Sequence, residues 1–212
     1  MAVKDAVKAQ RRHAVNEFKA AVILDAAVRV FEAEGLEGAS MRAIAQQAGY
    51  TAGAIYAYYP SKEALYAALL EDSLTRLTSA VAAAIDPAAA ATDRFRAAGL
   101  AFYDFYDTNP RDLDLGFYLF RGGIKPRGLT AELDAALNAK LFDSLAPLTA
   151  AARELGAAPA SARTLTARAF AHACGLLLLD HTRRLQLFHV TARDLLQQDL
   201  QHLAEVAANA GG

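Results

Sequence analysis

Tyr56, Tyr58 and Tyr59 crowd a short stretch that stops at Pro60. Each tyrosine offers a ring that packs and a hydroxyl that bonds phosphate oxygen or a base edge. A segment one or two turns long cannot bury all three rings against its own chain. Tyr56 and Tyr58 are therefore assigned outward roles, and Tyr59 a packing role beneath. Arg42 lies upstream, two residues past Ser40, where a guanidinium reaches a guanine edge bidentately or a phosphate. Lys62 adds a cation beside the free backbone N–H groups that open the following helix. Between them Thr51, Ala52 and Gly53 are small, so the backbone there can approach a major groove closely. The chemistry these residue types suit is recognition of anions and base edges, with no bond made or broken.

Reactive side chains elsewhere do not converge. His172 and Asp180 are eight residues apart. On a straight helix that is two turns, too far for one ion. Cys174 is the only cysteine, so no intrachain disulfide forms; it reads as a buried apolar residue in a reducing compartment. No spacing of nucleophile, base and orienting group is found, so the expectation is a non-enzyme with no metal and no cofactor.

The elements that must position these residues are helices. The chain has 212 residues, 54% hydrophobic and 21% charged, with alanine dominating the apolar share. Periodicity near 3.6 residues recurs and alternating strand patterns are absent, so the fold class is all-α. A helix over 18–34 carries the stripe Ala21, Leu24, Val28 and Phe31 and ends at Gly35. Ser40 caps "MRAIAQQA", which stops at Gly49, and Thr51 caps a short helix that Pro60 blocks. Ser61 opens a long helix to about residue 85. Helices follow over about 92–108, 130–155 with a kink or split at Pro147, 160–187 and 191–209. "GGIKPRG" (122–128) reads as a loop. A helix, a turn built on glycine and a second short helix make the helix-turn-helix geometry.

The net charge of −1 excludes a protein that coats nucleic acid nonspecifically. Its distribution is uneven: residues 1–62 hold eight Lys/Arg against six Asp/Glu, and the remainder fourteen against seventeen. The basic excess lies mostly before residue 20, in "KDAVKAQRRH", which reads as a frayed solvated leader, with an arm reaching a neighbouring groove as the alternative. The longest apolar stretches, such as "ACGLLLL", are too short for a bilayer, and the first twenty residues lack the apolar block of a signal peptide. A cytoplasmic protein with no membrane partner is expected.

The segment "ILDAAVRVFEAEGLEGASMRAIAQQAGYTAGAIYAYYPSKEALYAALLE" resembles the DNA-binding domain of TetR/AcrR transcriptional regulators. The resemblance covers about residues 18–72. Its motifs stand in order: the aromatic before "EGLEGASMRAIA", the "AG-x-T-x-G-x-[IL]-Y-x-x-[YF]" core, and "SKEAL". Tyr59 stands where the family commonly has phenylalanine, and Tyr58 where it often has histidine. The resemblance implies an all-α homodimer with a helix-turn-helix head and a divergent ligand-binding body. It also implies a regulator, in most cases a repressor, that leaves its operator when a small molecule enters the body. By motif position Arg42, Thr51, Ala52, Gly53 and Tyr58 become candidates for base contact. Ser40, Tyr56 and Lys62 become candidates for phosphate contact. The expected division is a basic extension at 1–17, a DNA-binding domain at 18–65 and a ligand-binding and dimerisation domain at 66–212.

In the body, Phe95, Phe102, Tyr103 and Tyr106 follow one helical stripe together with Gly99. With Phe117, Tyr118, Phe142, Phe170, His172 and Cys174 they are the expected walls of a cavity for a small apolar or aromatic effector. The last two helices are expected to build a homodimer. Small Ala167, Ala171 and Gly175 allow close approach, and Leu195, Leu196, Leu200 and Leu203 supply apolar contact. The partners expected are thus an operator in double-stranded DNA, a small-molecule effector and a second copy. The helix from Lys62 to about residue 85 is the lever between effector and DNA.

Overall fold

The computed structural model describes residues 2–121 and 129–209, apart from the side chains of residues 2–6, 36 and 117–121. The loop expected at 122–128 lies outside the described residues. Among the described residues there are no strands, and the all-α expectation holds. The helices are α1 (Ala2–Gly38), α2 (Met41–Ala48), α3 (Ala52–Tyr56), α4 (Lys62–Ala83) and α5 (Ala91–Thr108). They continue with α6 (Pro110–Arg121), α7 (Ala131–Glu154), α8 (Pro159–His181) and α9 (Ala192–Asn209). A single 3-10 turn, Leu185–Phe188, stands between α8 and α9. The chain forms two compact units: one runs through Glu71 and adds a short stretch ending at Asp134, and the other holds the rest.

The first unit is built on α1. This helix begins at Ala2, so the leader expected to fray is helical, with residues 7–18 exposed. Its alanines, lysine, arginines and glutamine are good helix formers, and they extend a helix already nucleated by the packed turns beyond. The buried stripe of α1 is Ile23, Ala26, Ala27 and Val30. The expected stripe is displaced: Leu24, Val28 and Phe31 are half-buried and Ala21 is exposed. Apolar residues flank the buried stripe on both sides, opposite the Asp25–Arg29 pair, so periodicity alone did not fix its phase. Gly35 takes the left-handed φ of +70° and breaks the helix as expected. Phe31 meets Tyr66 edge to face at 6.1 Å.

In the second unit α5, α8 and α9 pack on one another. Gly99 of α5 admits Leu200 of α9 so closely that a Cβ on the glycine would lie 2.6 Å from a leucine methyl. α4 is tied to α6 by Arg76, whose guanidinium donates to both oxygens of Asp112 at 3.1 and 2.6 Å. Asp112 is buried, and the pair raises the Arg76 pKa further above its already high ordinary value. Pro147 lies inside α7, which continues past it as one helix. α8 ends at His181, six residues before the expected 187. Thr182 Oγ1 donates to the Leu178 carbonyl at 2.6 Å, and Arg183 then adopts a left-handed φ of +56°. No glycine or proline announces that stop.

Candidate nucleic-acid interface

α2 and α3 are set by short-range chemistry. Ser40 Oγ accepts from the Ala43 N–H at 3.1 Å, and Thr51 Oγ1 accepts from the Ala54 N–H at 3.3 Å. Each satisfies one of the donors a helix start leaves free. Gly49 closes α2 in the left-handed region, φ +71°, sending its N–H back to the helix carbonyls. Ile44, Ala45 and Ile55 are fully or almost fully buried where the two helices cross. The back of α3 is therefore sealed by Ile55.

Its other flank is open. Thr51 and Gly53 are exposed, Ala52 is half-buried, and a Cβ on Gly53 would meet nothing within 4 Å. Tyr56 is 53% exposed. Arg42 stands exposed on the first turn of α2. These residues put a cation on α2 and a phenolic hydroxyl with a bare stretch of backbone on α3.

Three predicted residues are engaged within the fold. Lys62 Nζ donates to the carbonyls of Glu37 and Ala39 at 3.0 and 3.1 Å, which satisfies acceptors at the end of α1. Tyr58 is half-buried and its hydroxyl donates to Asn16 Oδ1 at 3.2 Å, pinning α1 beside the end of α3. Tyr59 is half-buried as expected, and burial raises its hydroxyl pKa. Sequence reasoning missed Asn16 altogether; a lone asparagine 42 residues from its partner gives no local signal.

Residues 23–69 match the family model described as bacterial regulatory proteins of the tetR family. This helix-turn-helix segment is of the TetR type. The chain is 35% identical over 95 residues to the HTH-type transcriptional activator FasR of Mycolicibacterium smegmatis, covering 45% of this chain and 43% of that one. It is 29% identical over 125 residues to the HTH-type transcriptional regulator BetI of Cronobacter sakazakii, covering 58% and 62%. The matched stretches thus span about half the length of these curated relatives. The fold is similar to that of the transcriptional regulator FadR from Bacillus subtilis, solved in complex with stearoyl-CoA. The TM-score is 0.65 at 19% identity, over 86% of this chain and 96% of FadR. The TetR head therefore coincides with the helix-turn-helix built above.

In the second unit, Phe95, Phe102, Tyr103 and Tyr106 are all buried. Phe102 meets Tyr106 at 5.1 Å and Phe170 of α8 at 5.6 Å, both edge to face. Desolvation raises the Tyr106 hydroxyl pKa well above its ordinary value and pushes the Cys174 thiol up to about 12. Tyr103 donates to Asp180 at 3.0 Å, which accounts for that carboxylate. Two expected wall residues lie elsewhere: Phe142 is 54% exposed, and half-buried His172 faces outward to pair with Asp199 of α9. The side chains of Phe117 and Tyr118 lie outside the described residues. A separate open groove of about 600 Å³ runs over Ala80, Ala84, Ala97 and Ala101, with the Arg193–Asp104 ion pair beside it.

The expected dimer residues divide sharply. Ala167, Ala171 and Gly175 are exposed along α8, with open space above Gly175. Leu196, Leu200 and Leu203 are 1%, 0% and 4% exposed within a single chain. These three close α9 onto its own body and cannot also contact a second copy; Leu195 is half-buried. Exposed apolar residues stand instead at the end of α8 and just past it: Leu178, Leu179, Leu187, Phe188 and Val190.

Proposed function

We propose that this chain is a cytoplasmic, ligand-responsive repressor that binds a near-palindromic operator as a homodimer. It leaves that site when a small apolar or aromatic effector binds the body. The observation that carries the reading is the one-sidedness of α3, with Ile55 sealed behind and Thr51, Gly53 and Tyr56 open in front. A recognition helix needs that arrangement, because only a rigidly backed element holds its polar tips in register with base edges. Arg42, Thr51, Ala52 and Gly53 take the base edges. Ser40 and Tyr56 take phosphates, and Tyr58 positions α1 through Asn16. Lys62 braces the end of α1, with one ammonium donor left for a phosphate.

The effector reading draws on the cluster of Phe102, Tyr106 and Phe170, an apolar site with few polar tips. Elsewhere in the same unit, Ser73 of α4 carries a buried hydroxyl with no hydrogen-bond partner among the described residues. Such a group is satisfied by a ligand atom or a water. α4 contributes to both units, and an effector that displaces α6 acts on it through Arg76–Asp112. A differential affinity of about 1–3 kcal/mol between two body states suffices for such coupling.

The dimer is formed by the small-residue face of α8, extended by Leu178, Leu179, Leu187 and Phe188. Selection of bound duplexes from a random-sequence pool tests the reading, followed by mobility shift with Arg42→Ala and Tyr56→Ala. Retention of full affinity by both variants defeats it.

A further inference from the structure

The amino-terminal half of α1 carries its cations on one side. At 100° per residue, Lys8, Arg11, Arg12 and Lys19 fall within an arc of about 100°. Lys8, Arg11 and Arg12 are exposed, Lys19 is half-buried, and none of the four pairs with a carboxylate among the described residues. Glu17 lies on the far side of the helix and is held there by His13 at 3.3 Å. The basic face is therefore single-signed at its centre.

This face is placed by the recognition element. The Tyr58–Asn16 hydrogen bond fixes α1 beside the end of α3. Arg12 and Arg11 lie about one turn beyond Asn16, and Lys8 about 12 Å beyond it. The four cations span roughly 16 Å of helix axis, comparable with five successive phosphates of one strand at about 3.4 Å each. Residues 7–18 are all exposed and Asn16 is tied to Tyr58 by a single hydrogen bond, so tertiary burial does not explain why the charges are sorted.

We infer that the basic face of α1 is a second DNA-contact surface, engaging phosphates that flank the sequence read by α3. This rests on the DNA-binding reading above and assigns a distinct job to residues outside the matched 23–69 segment. As a rigid helix it grips the backbone from outside a groove, and contributes affinity without base preference.

The test measures affinity against salt for the intact protein and a duplex that it selects from a random pool. The comparison is the quadruple variant Lys8→Gln, Arg11→Gln, Arg12→Gln and Lys19→Gln. Each lost phosphate contact lowers the log–log salt slope by about 0.9, so the variant loses close to four per chain. The enriched sequence is expected to stay the same. A second variant keeps the net charge but moves it round the helix: Lys8→Gln and Arg12→Gln with Gln10→Lys and Ala14→Lys. It is expected to lose close to two per chain, and circular dichroism verifies that both variants remain helical. An unchanged slope in the quadruple variant overturns the inference. So does an intact slope in the charge-moved variant, which assigns the effect to a diffuse field. A change in the selected sequence also overturns it, because phosphate contacts carry no base preference. If the intact protein selects no duplex, the DNA-binding reading itself falls.

Discussion

Leu200 of α9 occupies the space that a side chain on Gly99 of α5 would need, with its two methyl carbons 2.6 and 2.7 Å from the ideal Cβ position. The two residues were expected in different places, one along an effector cavity and the other on a dimer surface. Their contact makes them a single interlock of the body's own core. Gly99→Val is expected to destabilise the fold by about 1–3 kcal/mol through overpacking. The added Leu200→Ala should make the double variant less destabilised than the sum of the two singles. Thermal unfolding checks this; strict additivity contradicts the interlock.

Arg76 and Asp112 supply a second coupled pair. Removing the arginine leaves a buried carboxylate without its bidentate donor and strips a cation from 5.7 Å over the Phe105 ring. Arg76→Ala is expected to cost about 1–3 kcal/mol, moderated because the guanidinium itself is half-exposed. Asp112→Asn in the Arg76→Ala background should recover part of that loss. Denaturant titration of the four proteins measures it, and equal stability of both Arg76 variants removes the pair from the account.

Cys174 is half-buried and not fully buried as expected, yet desolvation still holds its thiol neutral, pushed up to about 12. A group with a raised folded pKa contributes stability that is complete below its unfolded value, near 8.5, and lost as pH climbs toward 12. The folded protein should thus react slowly with a thiol reagent at pH 8 and rapidly once unfolded. Cys174→Ser should flatten the stability profile above pH 8.5. Rapid labelling of the folded chain contradicts this burial.

Leu187 and Phe188 are 77% and 71% exposed beside the outward face of α8. With the α9 leucines committed to the core, the proposed homodimer is anchored on these side chains instead. Leu187→Asp with Phe188→Asp is expected to weaken self-association about thirtyfold or more, the effect of losing a hot spot of ~2 kcal/mol. Sedimentation at graded concentrations reads this, and an unchanged dimer shifts the interface elsewhere.

The head was legible because each of its signals is local. Ser40, Gly49 and Thr51 act within a few residues of themselves, so type and spacing define the turn without knowledge of the rest. The destination of an apolar stripe is not local. Leu196, Leu200 and Leu203 share one face whether that face meets the same chain or another, and only packing against Gly99 decides. The phase of α1 was hidden for a related reason, since Ile23, Val30 and their neighbours offer two adjoining apolar stripes. Lys62 and Tyr58 have long side chains whose reach spans 42 positions in one case, beyond any sequence pattern. The end of α8 rests on Arg183 in a backbone region that side chains seldom enter, which composition does not announce.

The central claim is that the open flank of α3 meets the duplex. Fluorescence anisotropy with a duplex the protein selects, comparing Tyr56→Phe, Arg42→Ala and the intact chain, tests it most directly. The account predicts a loss of about tenfold or more for Arg42→Ala and a smaller loss for Tyr56→Phe, with unfolding temperatures unchanged. Affinities equal to that of the intact protein for both variants, at equal stability, would contradict it.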